Sequence, residues 1–154
     1  RLIALRKAEP TLVHGDFCFS NILYDLRSER IRAIDPRGLD GMGKPSSFGD
    51  LRYDMGKLFH SVVGRYDHII AGYYDLRQSG PLDLSLTLPD TPGLAAIEQA
   101  FGEARFAGLT PKEAAAPAIA VLLFLSMLPL HADDSQRQAA LLANAMRLFL
   151  AFDS

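Results

Sequence analysis

Two short apolar segments joined by a polar turn constrain the fold of this chain more than any other feature. Residues 21–24 are Asn-Ile-Leu-Tyr, residues 31–34 are Ile-Arg-Ala-Ile, and the residues between them are mostly polar. This pattern is typical of two antiparallel strands connected by a turn. Because a hairpin returns the chain to its starting end, the flanking residues Asn21 and Asp35 are expected to lie at the same end of the ribbon.

Polar and flexible sequences lie on both sides of this hairpin. Before it, His14-Gly15-Asp16 interrupts the short apolar piece at residues 11–13. After it, residues 35–49 are rich in glycine, proline and serine and show no hydrophobic periodicity, which predicts a long loop. A loop of this length in a compact domain is usually functional.

The remainder of the chain is predicted to be mainly helical. Asp50 precedes apolar residues at helical spacing, so we expect it to cap a helix that ends near Gly64. The other predicted elements are a helix tail at residues 1–7, a short helix at 66–79, an extended segment at 82–88, and helices at about 94–107, 111–128 and 134–152. Pro111 is expected in the first turn of its helix. The predicted fold class is α+β, in one domain that spans residues 1–154.

Composition excludes several classes of function. The chain has 154 residues, a formal net charge of -2 and no basic stripe with interleaved aromatic residues, so no nucleic-acid partner is expected. The apolar stretch at residues 114–130 contains two prolines and a serine and is too short for a membrane span, so a buried helix is predicted. Cys18 is the only cysteine, which rules out an internal disulfide and fits a cytoplasmic location.

The polar residues around the hairpin form a recognisable motif. The chain carries His14-Gly15-Asp16, then four residues, then Asn21, and an apolar residue precedes Asp35 after the hairpin. This arrangement resembles the catalytic core of the aminoglycoside phosphotransferase and choline kinase superfamily. The resemblance implies the helix-rich C-terminal lobe of a protein-kinase-like fold, and Mg²⁺-assisted transfer of a phosphoryl group from ATP or another NTP to a hydroxyl of a small molecule.

Phosphoryl transfer depends mostly on positioning and on neutralising negative charge, which explains why carboxylate and amide oxygens occupy such a site. By resemblance, Asp16 is the catalytic residue that orients or accepts the proton of the attacking hydroxyl. Asn21 and Asp35 are then the Mg²⁺ ligands, since Mg²⁺ prefers oxygen. His14 and Gly15 are expected to support the loop through backbone contacts and a tight bend.

A second resemblance lies at the start of the predicted helix. Residues 49–55 are Gly-Asp-Leu-Arg-Tyr-Asp-Met, similar to the family segment in which the first Asp props the catalytic loop, so Asp50 is assigned a supporting role. Arg37 departs from the family pattern. It could bind a substrate phosphate or acid, or equally pair with a carboxylate such as Asp50.

The resemblance extends to a subgroup and implies a missing part. Residues 18–21, 35–38 and 125–131 are similar to bacterial phosphotransferase-like proteins associated with capsule or surface-polysaccharide genes. The family's nucleotide-covering lobe precedes the residues present here, so we expect this chain to need that lobe in cis and to bind ATP poorly alone. The apolar surface that the lobe covers would favour self-association of the fragment.

The same residues allow other interpretations. The domain could be a non-catalytic scaffold that binds a sugar, a nucleotide or a protein, and Asp16, Asn21 and Asp35 could be turn residues. Gly38 to Lys44 nearly matches a phosphate-binding P-loop, but Pro45 replaces the required Ser or Thr. Cys18 is more simply a small buried residue than a nucleophile, and the scattered histidines do not predict a zinc site.

Overall fold

The computed structural model describes residues 10–80 and 83–152, which combine short antiparallel strands with helices. The strands are β1 (Thr11–Leu12), β2 (Ile22–Asp25), β3 (Arg30–Ala33), β4 (Phe48–Gly49), β5 (Asp75–Gly80) and β6 (Asp83–Thr87). The helices are α1 (Leu51–Val62), α2 (Tyr66–Ile70), α3 (Leu94–Glu103), α4 (Ala116–Met127) and α5 (Ser135–Phe152). The α+β class is thereby confirmed, and the helix tail predicted at residues 1–7 lies outside the described residues.

The predicted hairpin is formed by β2 and β3. Its register pairs Ile22 with Ala33 and Asp25 with Arg30. The Asp25 carboxylate closes the turn, because it accepts a hydrogen bond from the Arg27 amide at 2.9 Å. The turn residues and the pattern of the two strands both favour a hairpin at this position, so the sequence predicted it.

The long loop at residues 35–49 ends in a strand that the sequence did not predict. β4 pairs antiparallel with β1, with Thr11 opposite Gly49. Two residues are too few to show strand periodicity, so this pairing has no signal in the sequence. The contact brings the residues before the hairpin next to the start of α1.

α1 begins where the sequence predicted. Asp50 is its N-terminal cap, and the side chain accepts a hydrogen bond from the Arg52 amide at 3.0 Å. The helix packs on α4, which in turn packs on α5, and the fully buried side chains of this core include Phe124 and Leu141. Gly56 permits close packing of α1 and α4, since a Cβ there would lie 2.3 Å from Cγ2 of Ile119.

Two predicted helices were wrong in extent. The helix expected at residues 66–79 ends at Ile70, since the chain turns at Gly72 with a φ of +78° and continues as β5, which pairs with β6. The helix expected from Pro111 begins only at Ala116. Ala115 precedes it with a left-handed φ of 55°, which interrupts helical geometry.

Among the residues that the structure describes, no helix is both long and apolar enough to cross a membrane.

Candidate functional site

The loop formed by residues 14–21 and the residues after β3 are joined by backbone hydrogen bonds. The Ile34 amide donates to the Asn21 carbonyl at 2.9 Å, and the Arg37 amide donates to the His14 carbonyl at 2.9 Å. Asp35, which follows Ile34, is thereby held next to the loop at the same end of the ribbon as Asn21. This placement agrees with the expectation drawn from the hairpin.

The Asp16 carboxylate is held by two side chains. Its Oδ1 lies 2.6 Å from Nζ of Lys57, and its Oδ2 accepts a hydrogen bond from Nδ2 of Asn21 at 3.1 Å. The same Asn21 nitrogen also donates to the Asp16 carbonyl at 2.9 Å. The Asp16 side chain remains 34% exposed, so a small molecule can reach it.

Several charges act on Asp16. Burial raises its pKa, but the hydrogen bond and charge of Lys57, the Asn21 amide and the charge of Arg37 together outweigh burial and lower the pKa on balance. The carboxyl group is therefore ionised at neutral pH. An ionised carboxylate accepts hydrogen bonds only, which suits it to orient a hydroxyl group.

One face of α1 contacts the loop through three polar side chains. The sequence did not predict these contacts. Asp54, Lys57 and Ser61 are spaced three and four residues apart, so they lie on the same side of the helix. The Asp54 carboxylate accepts the amides of His14 at 2.7 Å and Gly15 at 2.8 Å. The Ser61 hydroxyl accepts the Phe19 amide at 3.1 Å. The available signal was the helical spacing of these three polar residues, which the sequence places among apolar residues such as Met55, Leu58 and Phe59.

The supporting role assigned to Asp50 requires correction. The Asp50 carboxylate accepts hydrogen bonds from the amide and guanidinium of Arg52, whose Nη2 lies 2.5 Å from Oδ2. Asp54, four residues later, makes the contacts to the loop that were expected of Asp50. An N-terminal cap bonds to its own helix, so its side chain is already engaged.

His14 and Gly15 do support the loop geometrically. Nε2 of His14 lies 2.9 Å from the Ile34 carbonyl, and Nδ1 accepts the Asp16 amide at 3.3 Å. These two contacts together assign the tautomer that carries its proton on Nε2. Gly15 has a φ of +78°, and a Cβ at this position would lie 2.8 Å from Cβ of Arg37, so a larger residue does not fit.

The donor set of Asn21 and Asp35 fits Mg²⁺. Both Asp16 oxygens that Asn21 contacts are acceptors, so the Asn21 amide nitrogen must face them and its oxygen Oδ1 points elsewhere. In the described part of the chain, neither that oxygen nor the Asp35 carboxylate has a hydrogen-bond or ion-pair partner. Two hard oxygen donors are what Mg²⁺ takes from a protein when substrate phosphates and water complete its coordination.

Within residues 10–80 and 83–152, no cluster of three or more His, Cys, Asp or Glu side chains could hold a metal ion by itself. A zinc site of that type is therefore not found there. Cys18 is 3% exposed, and its thiol contacts the Asp16 carbonyl and the Ser20 hydroxyl. This burial agrees with a small packed residue rather than a nucleophile.

The P-loop interpretation of residues 38–45 is wrong. The Asp40 carboxylate accepts the amides of Met42 at 2.8 Å and Lys44 at 2.9 Å, so these N–H groups face a protein anion. Leu39 bridges Pro45, and the next helix starts only at Leu51. A P-loop instead requires a helix that begins at its Lys and Ser or Thr.

Arg37 stacks on the Tyr53 ring and does not pair with Asp50, which forms an ion pair with Arg52. Its guanidinium carbon lies 5.5 Å from the centroid of the Tyr53 ring. Tyr53 also lines a cleft of about 410 Å³ between α1 and α4, whose other lining residues are Asp50, Ile119, Leu122, Leu123 and Ser126. The described residues offer Arg37 no carboxylate within ion-pair distance, so its fork of donors is available to a ligand.

Comparisons of this chain with models of known protein families, with curated proteins and with solved structures find no match.

Proposed function

We propose that this chain is the C-terminal lobe of a kinase-like phosphotransferase, which transfers the γ-phosphoryl group of ATP or another NTP to a hydroxyl of a small molecule. The observation that carries the proposal is the loop geometry. An ionised, accessible Asp16 carboxylate is held between Lys57 and Asn21, and Asp35 is held beside them by the Ile34 to Asn21 hydrogen bond. An ionised carboxylate with a second acidic residue beside it supports phosphoryl transfer, which depends on positioning and on neutralising charge.

Asp16 is the residue that faces the acceptor. Its carboxylate accepts a hydrogen bond from the attacking hydroxyl and fixes the direction of attack. It takes the proton as the new P–O bond forms, while the bond from the γ-phosphorus to the oxygen that bridges it to the β-phosphate breaks and the nucleoside diphosphate leaves. Because its pKa is lowered on balance, orientation contributes more than basicity. A side chain that is 34% exposed and fixed by two partners is suited to this task.

Asn21 Oδ1 and the Asp35 carboxylate are the residues that would hold Mg²⁺. When bound, the ion neutralises negative charge on the nucleotide phosphates. Arg37, near Asp16 and stacked on Tyr53, would bind a phosphate or an acidic group of the acceptor. The proposed enzyme is cytoplasmic, a location that its use of a nucleoside triphosphate and the single cysteine of the sequence support.

The test uses the full-length protein, with the nucleotide-binding lobe that the proposal requires. Radiolabelled ATP and Mg²⁺ are incubated with a panel of sugars and other small alcohols, and label transfer is measured. Asp16→Asn is expected to lower turnover by about 10²- to 10⁴-fold while stabilisation of the protein by Mg²⁺ and ATP persists. Asp35→Asn is expected to abolish that thermal stabilisation.

Asp133→Asn is the matched control, because Asp133 is exposed and far in sequence from the loop. It should leave both measurements unchanged. Wild-type rates in both the Asp16 and Asp35 variants would reject the assigned roles. Absence of any stabilisation by Mg²⁺ and ATP in the wild type would favour a non-catalytic binding domain instead.

A further inference from the structure

We infer that Lys57 is a positioning residue, which holds the Asp16 carboxylate in the orientation that the proposed phosphoryl transfer uses. The inference rests on the proposed function. Lys57 lies in the middle of α1, and its side chain is only 11% exposed. No sequence motif assigned it a role.

The first support is the geometry of the carboxylate. Lys57 Nζ lies 2.6 Å from Oδ1, and Asn21 Nδ2 lies 3.1 Å from Oδ2. Two donors on different oxygens fix both the position and the rotation of the carboxylate, whereas without Lys57 the Oδ1 atom would keep only the weak contact of the Cys18 thiol at 4.0 Å. A short charge-assisted contact is the stronger of the two.

The second support is the burial of the ammonium group. A charge removed from water is costly unless a partner compensates for it. Asp16 is the single carboxylate within ion-pair distance of Lys57 among the residues that the structure describes. The pair is therefore mutually dependent, and Lys57 is not a mobile surface lysine.

The third support is that α1 is anchored to the same loop on both sides of Lys57. Asp54 binds the loop amides one turn earlier, and Ser61 binds the Phe19 amide one turn later. These contacts fix the helix relative to the loop, so the base of the Lys57 side chain keeps a constant position beside Asp16. Through its ion pair, Lys57 thus fixes the position of the Asp16 carboxylate relative to α1.

The experiment measures steady-state kinetics of the full-length enzyme with ATP, Mg²⁺ and the best acceptor from the panel. Lys57→Met keeps an unbranched side chain of nearly the same length but removes its charge. We expect kcat to fall on the order of 10²-fold, as for a catalytic group displaced by about 1 Å. The KM for ATP should change less than about 2-fold, because Lys57 acts through Asp16.

A double-mutant cycle separates positioning from a general structural role. In the Asp16→Asn background, Lys57→Met should lower kcat by less than about 2-fold further, because the residue that Lys57 positions has already lost its function. Lys112→Met, at an exposed position, is the control and should match wild type in either background. Thermal unfolding of every variant establishes that it is folded, and Lys57→Gln replaces Lys57→Met if the latter does not fold.

The outcomes distinguish the inference from the proposed function. An active wild type in which Lys57→Met retains full kcat, or in which it lowers kcat equally in both backgrounds, overturns the inference and leaves the phosphotransferase intact. A wild type that shows neither label transfer nor ATP binding overturns the proposed function, and the inference with it.

Discussion

His60 makes the stability of this chain sensitive to mild acid. The residue lies on α1 with no exposed surface, and its ring centroid is 4.4 Å from that of Tyr66 and 4.1 Å from that of Phe124. Neither ring nitrogen has a hydrogen-bond partner within the described residues. Burial, reinforced by the charge of Lys57 and opposed by that of Asp16, lowers the pKa of His60 to about 3.

The sign and size of the effect follow from proton linkage. In the unfolded chain His60 titrates near pH 6.5, so below that pH the unfolded state binds more protons than the folded state. The free energy of unfolding is therefore highest above pH 6.5 and falls as pH falls toward 3. Between pH 7.5 and pH 5 the loss amounts to about 2 kcal/mol, against a total of roughly 5–15 kcal/mol for a typical domain.

Carboxyl groups contribute little to the change in the free energy of unfolding between pH 6.5 and pH 5. Hydrogen bonds from Ser28 and from the Arg27 amide lower the pKa of Asp25, for example. A carboxyl group of this kind contributes stability above its unfolded pKa of about 3.9 and loses it only as pH falls further. A loss of stability between pH 6.5 and pH 5 is therefore expected to report mainly on His60.

The assay is urea unfolding followed by circular dichroism at pH 7.5, 6.5, 5.5 and 5.0. His60→Phe should flatten the pH dependence and should not destabilise the chain at pH 7.5, since two unpartnered polar atoms are removed from the interior. His68→Gln, at a partly exposed position on α2, should retain the wild-type pH dependence. An unchanged wild-type unfolding energy down to pH 5, or an equal loss in His60→Phe, would refute the reasoning.

Three further substitutions test the packing around the site by urea unfolding. Gly15→Ala forces a φ of +78° on a residue with a Cβ and should cost about 1–2 kcal/mol, and a neutral result would contradict the strained bend. Gly56→Ala places a Cβ 2.3 Å from Cγ2 of Ile119 and should cost about 1–3 kcal/mol. The control Gly102→Ala, where the added Cβ meets nothing within 4 Å, should be neutral or stabilising. Asp54→Asn turns an NH₂ group toward a loop amide and should cost about 1–3 kcal/mol, whereas wild-type stability would show that the two amide contacts are dispensable.

The parts of the fold that the sequence predicted are those set by local patterns. The β2–β3 hairpin, the cap at Asp50 and the helix that follows it each carry their signal within a few neighbouring residues. β4 and β5 are formed by pairing with partners elsewhere in the chain, and a segment such as Asp75–Gly80 shows little apolar alternation of its own. Tertiary pairing overrode local propensity at these positions.

For the site, the sequence indicated which residues belong together but not which of them touch. Motif spacing brought Asp16, Asn21 and Asp35 to one end of the ribbon, as the backbone hydrogen bonds place them. It could not distinguish Asp50 from Asp54, because both are acidic residues at the start of one helix. Only the position of the helix relative to the loop decides that Asp54 binds the amides, and that position depends on packing remote in sequence.

The loop that carries Asp16 has few apolar anchors of its own, since Cys18 is its only buried apolar residue. Its position is therefore determined by α1, through the contacts of Asp54, Lys57 and Ser61. The other side of the same helix packs closely on α4 at Gly56. Because close-packed interiors transmit strain, a change at the α1–α4 contact is expected to displace Asp16 without touching it. Core packing and the proposed chemistry are thus coupled through one helix.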